Sequence, residues 1–271
     1  MLQLKDEEFR TLTEYMNRNY GINLRAKRTL VEGRLGNYLT KRGYDDYGAF
    51  IKTVMDDPSG GERQQLVNHL TTNYSYFMRE WDHFVYFQRV ILPELKANVR
   101  EKDMRIWSAG CSTGEEPYTL AMLISDFLED EKKQWDSKIL ATDISAKALN
   151  AAVEGIYPAE NLEKVPPGWK LSYFHKLAGG QWQVRKEIRD EVIFRTFNLM
   201  EGHFPFKKQF DVIFCRNVMI YFDKDSKNEL IERFYDATKP GGYLFIGQSE
   251  SVDRNMTRYK YVMPSILKKA G

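Results

Sequence analysis

Little in this chain points to a cross-linked, metal-bound or membrane-spanning protein. Only two of its 271 residues are cysteines, Cys111 and Cys215, one in an expected turn and one at an expected strand end. That argues against a structural disulfide, and both read as small residues near a site. Four histidines, His69, His83, His175 and His203, show no ligand spacing with each other or with the cysteines, so no metal is expected. No apolar run approaches the roughly 18 residues that span a bilayer. The start Met1-Leu2-Gln3-Leu4-Lys5-Asp6 lacks a signal-peptide pattern. The expected place is the cytoplasm, without direct membrane insertion. Charge is nearly balanced at +2, which argues against a dedicated nucleic-acid binder.

What is present suits an ordered globular chain: 42% apolar and 14% aromatic residues, enough for one large domain or two. Residues 6–69 carry apolar stripes at helical spacing. These are Phe9, Leu12, Tyr15 and Met16; Leu30, Leu35, Tyr38 and Leu39; Tyr47, Phe50, Ile51 and Val54; and Leu66, Val67 and Leu70. Gly21, Gly43 and Asp56-Asp57-Pro58-Ser59-Gly60-Gly61 break them into a small helical domain. Its second helix is expected to carry Arg25, Lys27, Arg28, Arg34, Lys41 and Arg42 against one acid, Glu32. Such a face is either merely solvated or a docking surface for an acidic protein.

The stretch Ile106-Trp107-Ser108-Ala109-Gly110-Cys111-Ser112-Thr113-Gly114-Glu115-Glu116-Pro117-Tyr118 organises the rest, reading as strand, turn and helix. Gly110 and Gly114 permit a tight turn against a ligand, and Pro117 suits a first helical turn. Glu115 and Glu116 stand where a dinucleotide fingerprint would seat a pyrophosphate. Two carboxylates would repel that group but suit a cation such as S-adenosylmethionine; alternatively they only complement the helix dipole.

Strands are expected at 104–109, 138–142, 192–197, 210–215 and 243–247, separated by helices that include 81–95 and 224–238, with a closing strand or hairpin in 259–267. Prolines and glycines interrupt this rhythm between 155 and 192, where residues 171–174 and 182–184 read as an inserted β-hairpin. Strands alternating with helices predict an α/β fold with a doubly wound, mostly parallel sheet. Gly110, Asp143, Asn198 and Asn217 all fall at expected strand ends, where such sheets bind ligands. Asp143 could accept from ribose hydroxyls or cap the helix that follows.

Four ordered blocks carry a family resemblance: Leu70-Thr71-Thr72-Asn73-Tyr74-Ser75-Tyr76-Phe77-Met78-Arg79-Glu80, Trp107 through Tyr118, Ala141-Thr142-Asp143-Ile144, and Cys215-Arg216-Asn217-Val218-Met219-Ile220-Tyr221-Phe222. The chain resembles the chemotaxis receptor glutamate methyltransferases of the CheR type over nearly its whole length. The resemblance implies a small all-α N-terminal domain (1–72), an interdomain segment (73–84) and a class I, Rossmann-like methyltransferase domain (85–271) with an inserted β subdomain at about 155–192. It implies S-adenosylmethionine as cofactor, S-adenosylhomocysteine as product, and methyl esterification of glutamates on the cytoplasmic helices of chemoreceptors; a monomer is expected. Carried over, Asn73, Ser75 and Arg79 approach the cofactor with Gly110, Glu116 and Asp143, while Asn198, Leu199, Asn217 and Val218 surround the adenine. Ser75 stands where the family most often has threonine, keeping the hydroxyl, and Met78 replaces a usual aromatic.

A glutamate with a reference pKa of about 4.3 is ionised near neutral pH, so displacement at a methyl carbon needs no strong general base. What it needs is alignment. Arg79 could hold the acceptor carboxylate in a forked hydrogen bond, and Tyr221 could donate to it or line the methyl. Receptor docking falls to the basic helix through Arg25, Lys27, Arg28 and Arg34. Ten residues, 175–184, separate Tyr173-Phe174 from Arg185-Lys186-Glu187-Ile188, resembling the shorter insert of members that need no receptor-tail tether. A nucleic-acid methyltransferase is the first rival, but Asn217-Val218-Met219-Ile220 lacks the proline pair of amino-group methyltransferases. A non-catalytic binding module and a dehydrogenase are the others.

Overall fold

Apolar residues spaced three and four apart wind the first part of the chain into α1 (Asp6–Tyr20), α2 (Arg28–Arg42), α3 (Tyr47–Asp56) and α4 (Gly61–Leu70) in a computed structural model that describes residues 2–99 and 101–271. Gly21 and Gly43 end α1 and α2 in the left-handed conformation, and the Asp46 side chain caps α3. Their inner faces, including Met16, Val31, Leu35, Leu39, Phe50, Val54 and Leu66, close one core; each such burial contributes about 1.5–3 kcal/mol. Arg25 and Lys27 precede α2 instead of lying on it, because the helix starts only at Arg28.

The single helix expected over 81–95 is three pieces: α5 (Trp81–Tyr86), a π turn (Phe87–Ile91) and α6 (Leu92–Asn98). Pro93, which lacks an N–H and crowds the carbonyl four residues back, stands two residues past the end of the π turn. Then come β1 (Ile106–Ala109), α7 (Glu115–Leu128), β2 (Ile139–Asp143) and α8 (Ala146–Glu154).

The insert is larger than a hairpin. It holds β3 (Ile156–Tyr157), α9 (Pro167–Tyr173), β4 (Phe174–Lys176), β5 (Trp182–Val184) and α10 (Lys186–Arg189), with β3, β5 and β4 forming a three-stranded antiparallel sheet. Leu171, Ser172 and Tyr173, expected in a strand, lie in α9, since Pro166 and Pro167 start a helix there.

The chain returns to the main sheet with β6 (Val192–Thr196), β7 (Phe210–Cys215), α11 (Lys224–Ala237), β8 (Thr238–Ile246), β9 (Lys260–Met263) and β10 (Ile266–Lys268). Strand order is β6-β2-β1-β7-β8-β10-β9; the first five run parallel and the last two close the edge antiparallel. Lys239-Pro240-Gly241-Gly242 bulges within β8: Thr238 pairs with Phe210, but Val212 pairs with Tyr243.

β1 and β7 are buried along their whole length, as strands covered by layers on both faces must be. On one face Trp107 is fully buried among Phe204, Phe206, Phe210 and Phe234, ring centres 4.8–5.4 Å away, and its indole N–H donates to Thr142 Oγ1 at 2.9 Å. The chain winds outward in both directions from β1, so the crevice between β1 and β7 is the switch point of the sheet.

Candidate functional site

The loop after β1 sets the floor of this crevice. Gly110 adopts φ +88°, and a Cβ there would stand 2.3 Å from Val218 Cγ2, so any side chain would collide with the loop after β7. The Gly110 and Cys111 N–H groups both donate to the Thr142 carbonyl (2.7 and 2.9 Å), tying the floor to β2. Asp143, at the end of β2, accepts from the Ser112 N–H (2.8 Å) and the Ser145 N–H (2.9 Å). Burial pushes its carboxyl above the usual range, while these backbone donors pull the other way.

The two glutamates opening α7 part company, because consecutive helical residues point about 100° apart. Glu116 faces the crevice, accepting from Ser108 Oγ (2.7 Å) and Arg216 Nη1 (2.8 Å). Glu115 is buried away from it, bonded to Thr113 Oγ1 and Asn161 Nδ2, with burial raising its carboxyl.

Asn217, at φ +58°, gives its amide to Glu80 Oε1 (3.0 Å) and its N–H to Glu250 (3.0 Å). Asn198 bonds the Asn19 carbonyl (2.8 Å), so its amide bridges to the end of α1. The turn between α1 and α2 forms the roof: Ile22 pairs with Phe222, and the Asn23 N–H donates to the Tyr221 carbonyl at 2.8 Å. Gly21 at φ +68° makes the close approach possible, since a Cβ would lie 2.8 Å from Met200 Sδ.

The segment 70–80 closes the front. Arg34 holds its start through the carbonyls of Leu70 and Thr71 and the Thr72 hydroxyl. Arg79 Nη1 donates to the Tyr74 carbonyl (3.0 Å), and its guanidinium lies 5.8 and 6.0 Å from the Tyr74 and Tyr76 ring centres.

The resulting cleft, partly open to solvent, is lined by Asn73, Ser75, Arg79, Gly110, Glu116 and Asp143, with Asn198, Leu199, Asn217, Val218 and Tyr221 opposite. Tyr20, Ile22, Ser112 and Phe222 line it too, and sequence reasoning gave them no role. Arg25, Lys27, Arg28 and Arg34 lie outside it.

A family description, "CheR methyltransferase, all-alpha domain", matches residues 7–71, and another, "CheR methyltransferase, SAM binding domain", matches residues 73–266. The chain belongs to the CheR methyltransferase family. It is 39% identical over 272 residues to the "Chemotaxis protein methyltransferase" of Borreliella burgdorferi, covering 99% of this chain and 96% of that one. It is 37% identical over 264 residues to the protein of that name in Escherichia coli K12, covering 95% and 89%.

The cofactor of this CheR methyltransferase is S-adenosylmethionine, and the residues in place fit it. Glu116 and Asp143 present carboxylates to a cationic, hydroxyl-bearing ligand, and Ser112 Oγ in the cleft is buried without a hydrogen-bond partner. Among the described residues no cluster of three metal-ligating side chains occurs, and no helix is long and apolar enough to cross a membrane.

Arg216, which also lines the CheR cleft, centres a charge cluster that the sequence did not announce. Arg216 and Glu80 form an ion pair (3.1 Å); burial alone would raise Glu80, but the Asn217 amide and Arg216 hold it below the usual carboxylate range. His83 Nδ1 accepts from Arg216 Nε (2.9 Å). Burial first, then the Arg216 charge, pull His83 down to about 4 against the opposing Glu80.

The unfolded chain therefore protonates His83 near its ordinary 6.5, the folded chain only near 4. Stability on this account is full above about pH 6.5 and falls by about 3 kcal/mol as pH drops to about 4, with no further loss below. His83→Gln should lack this component. Denaturant titrations at about pH 7 and pH 4.5 should show the variant losing less stability than wild type; equal losses would mean that His83 titrates normally.

Proposed function

We propose that this CheR methyltransferase transfers the methyl group of S-adenosylmethionine to glutamate side-chain carboxylates on the cytoplasmic helices of chemoreceptors. The names of its relatives as chemotaxis protein methyltransferases support the setting. The observation that carries the reaction type is Arg79, a half-buried cation in the cleft whose only side-chain hydrogen bond, among the described residues, leaves most of its fork free.

When bound, S-adenosylmethionine supplies an electrophilic methyl on a positively charged sulfur. Glu116 and Asp143 would hold its polar groups, Asn73 and Ser75 would approach from the interdomain segment beside Gly110, and Asn198, Leu199, Asn217 and Val218 would surround the adenine. Arg79 orients the acceptor carboxylate and Tyr221 lines the path or donates to it. One acceptor oxygen gains the carbon, the carbon–sulfur pair stays on sulfur, and no proton moves, so no base is required. Too strong an ion pair would weaken the nucleophile, which makes Arg79 a positioning cation.

Exposed Arg25 and Lys27 steer the receptor toward the cleft. Arg28 and Arg34 join this face less freely: Arg28 is bonded to Asp6, Glu32 and the Leu4 carbonyl, and Arg34 to the Leu70 and Thr71 carbonyls and the Thr72 hydroxyl. Five residues join β4 to β5, which supports methylation without a receptor-tail tether.

Incubation with methyl-labelled cofactor and receptor membranes should give label released as methanol in mild alkali, equally from receptors with and without their C-terminal peptide. Alkali-stable label would refute the ester. Dependence on the tail would refute tether independence.

A further inference from the structure

Arg216 belongs to a recognisable motif but no part of the reaction described above uses it. Its side chain is only 3% exposed, and every guanidinium nitrogen is engaged. Nε donates to His83 Nδ1 (2.9 Å), Nη1 to Glu116 Oε2 (2.8 Å), and Nη2 to Glu80 Oε2 (3.1 Å) and the main-chain carbonyl of Arg79. The guanidinium carbon sits 5.1 Å from the Phe84 ring centre. A planar fork can hold several acceptors at fixed angles; a lysine ammonium, a point charge on a flexible stem, cannot.

Two of these acceptors belong to opposite sides of the reaction. Glu116 faces the cofactor, and Arg79 faces the acceptor. Resting on the function proposed above, we propose that Arg216 is the positioning residue that sets the distance between cofactor and acceptor carboxylate, by clamping Glu116 and the backbone of Arg79 with one rigid group.

The backbone around Arg79 supports this assignment. Met78 (φ +64°) and Glu80 (φ +56°) flank it in the left-handed region, a conformation that L side chains adopt at a cost and keep only where the surroundings enforce it. Arg216 enforces it from below through the Arg79 carbonyl and the Glu80 carboxylate. The other Glu80 oxygen accepts from the Asn217 amide (3.0 Å), so the clamp extends to the far wall of the cleft. Displacing Arg79 by about 1 Å is enough to cost about 100-fold in rate.

The test compares wild type, Arg216→Lys and the charge-compensated pair Arg216→Gln with Glu80→Gln. Three quantities are measured on the full chain: melting temperature, calorimetric affinity for S-adenosylhomocysteine, and kcat and KM on receptor membranes. Arg216→Lys keeps the buried charge and should fold, yet bind S-adenosylhomocysteine about 10-fold more weakly and turn over about 100-fold more slowly. The double variant removes one charge of each sign, so its melting temperature should return toward wild type while turnover stays low. Wild-type kcat and affinity in Arg216→Lys, or turnover recovering with the fold in the double variant, would overturn the proposal. If wild type itself fails to label receptors, the proposed acceptor is wrong, and the affinity series still decides the Arg216–Glu116 half of the clamp.

Discussion

Arg79→Ala is expected to slow methyl transfer by about 100- to 1000-fold at saturating cofactor, with a change in stability of about 1 kcal/mol or less. The contrast follows from what Arg79 touches. Its side chain makes one hydrogen bond, to the Tyr74 carbonyl, and lies over two tyrosine rings near the 6 Å limit of useful cation–π contact. Nothing buried is left unpaired when it goes. What is lost is the fork proposed to fix an acceptor carboxylate, and Arg79→Lys should recover only part of the rate because it returns the charge without the fork. Single-turnover kinetics with enzyme in excess, paired with thermal melting, separate the two quantities. A variant that melts many degrees lower would show that Arg79 supports the segment 70–80 and not the acceptor.

Asp143→Asn is expected to have the other large effect, a loss of cofactor affinity of about 100-fold or more together with about 1–3 kcal/mol of stability. The replacement is nearly isosteric, so volume plays no part. Each Asp143 oxygen accepts a backbone N–H, one from Ser112 in the floor loop and one from Ser145 at the start of α8. An amide has one oxygen, so its NH₂ must oppose one of these donors in a nearly sealed position. Either the loop carrying Ser112 shifts or a buried donor goes unpaired, and the floor of the cleft deforms. Calorimetry with S-adenosylhomocysteine and denaturant unfolding measure both; unchanged affinity would mean that Asp143 serves only as a loop tie.

The sequence was most legible where one physical demand dominated. Residues 210–215 are apolar at every position but Asp211 because both faces of β7 are covered, and the strand spans those residues. The stripes of the N-terminal helices were equally plain, since their apolar residues face one core. The insert was misread where prolines start α9 and where the two-residue strand β3 is too short to show a period.

At the site, the strand-end residues were visible because topology alone collects them. Glu80 and Arg216 were not, since a charged residue reads as surface until its partner is known, and theirs lies 136 positions away. The glutamate pair at 115 and 116 read as one acidic feature, although a helix can present only one of two neighbours to a cleft. The basic stretch near α2 likewise read as free charge. Arg28 and Arg34 spend theirs on the chain itself, which only a fold can reveal.

Residues 19–23 roof the cleft from the helical half while the floor comes from the other half, so neither half alone contains a chamber. The α-helical bundle is thus no interchangeable adaptor. A lineage that exchanged it for another bundle would need the 221–222 loop to change in the same event, or the roof would gape. Shuffling whole modules would break this seam, which ties the inheritance of the two halves together.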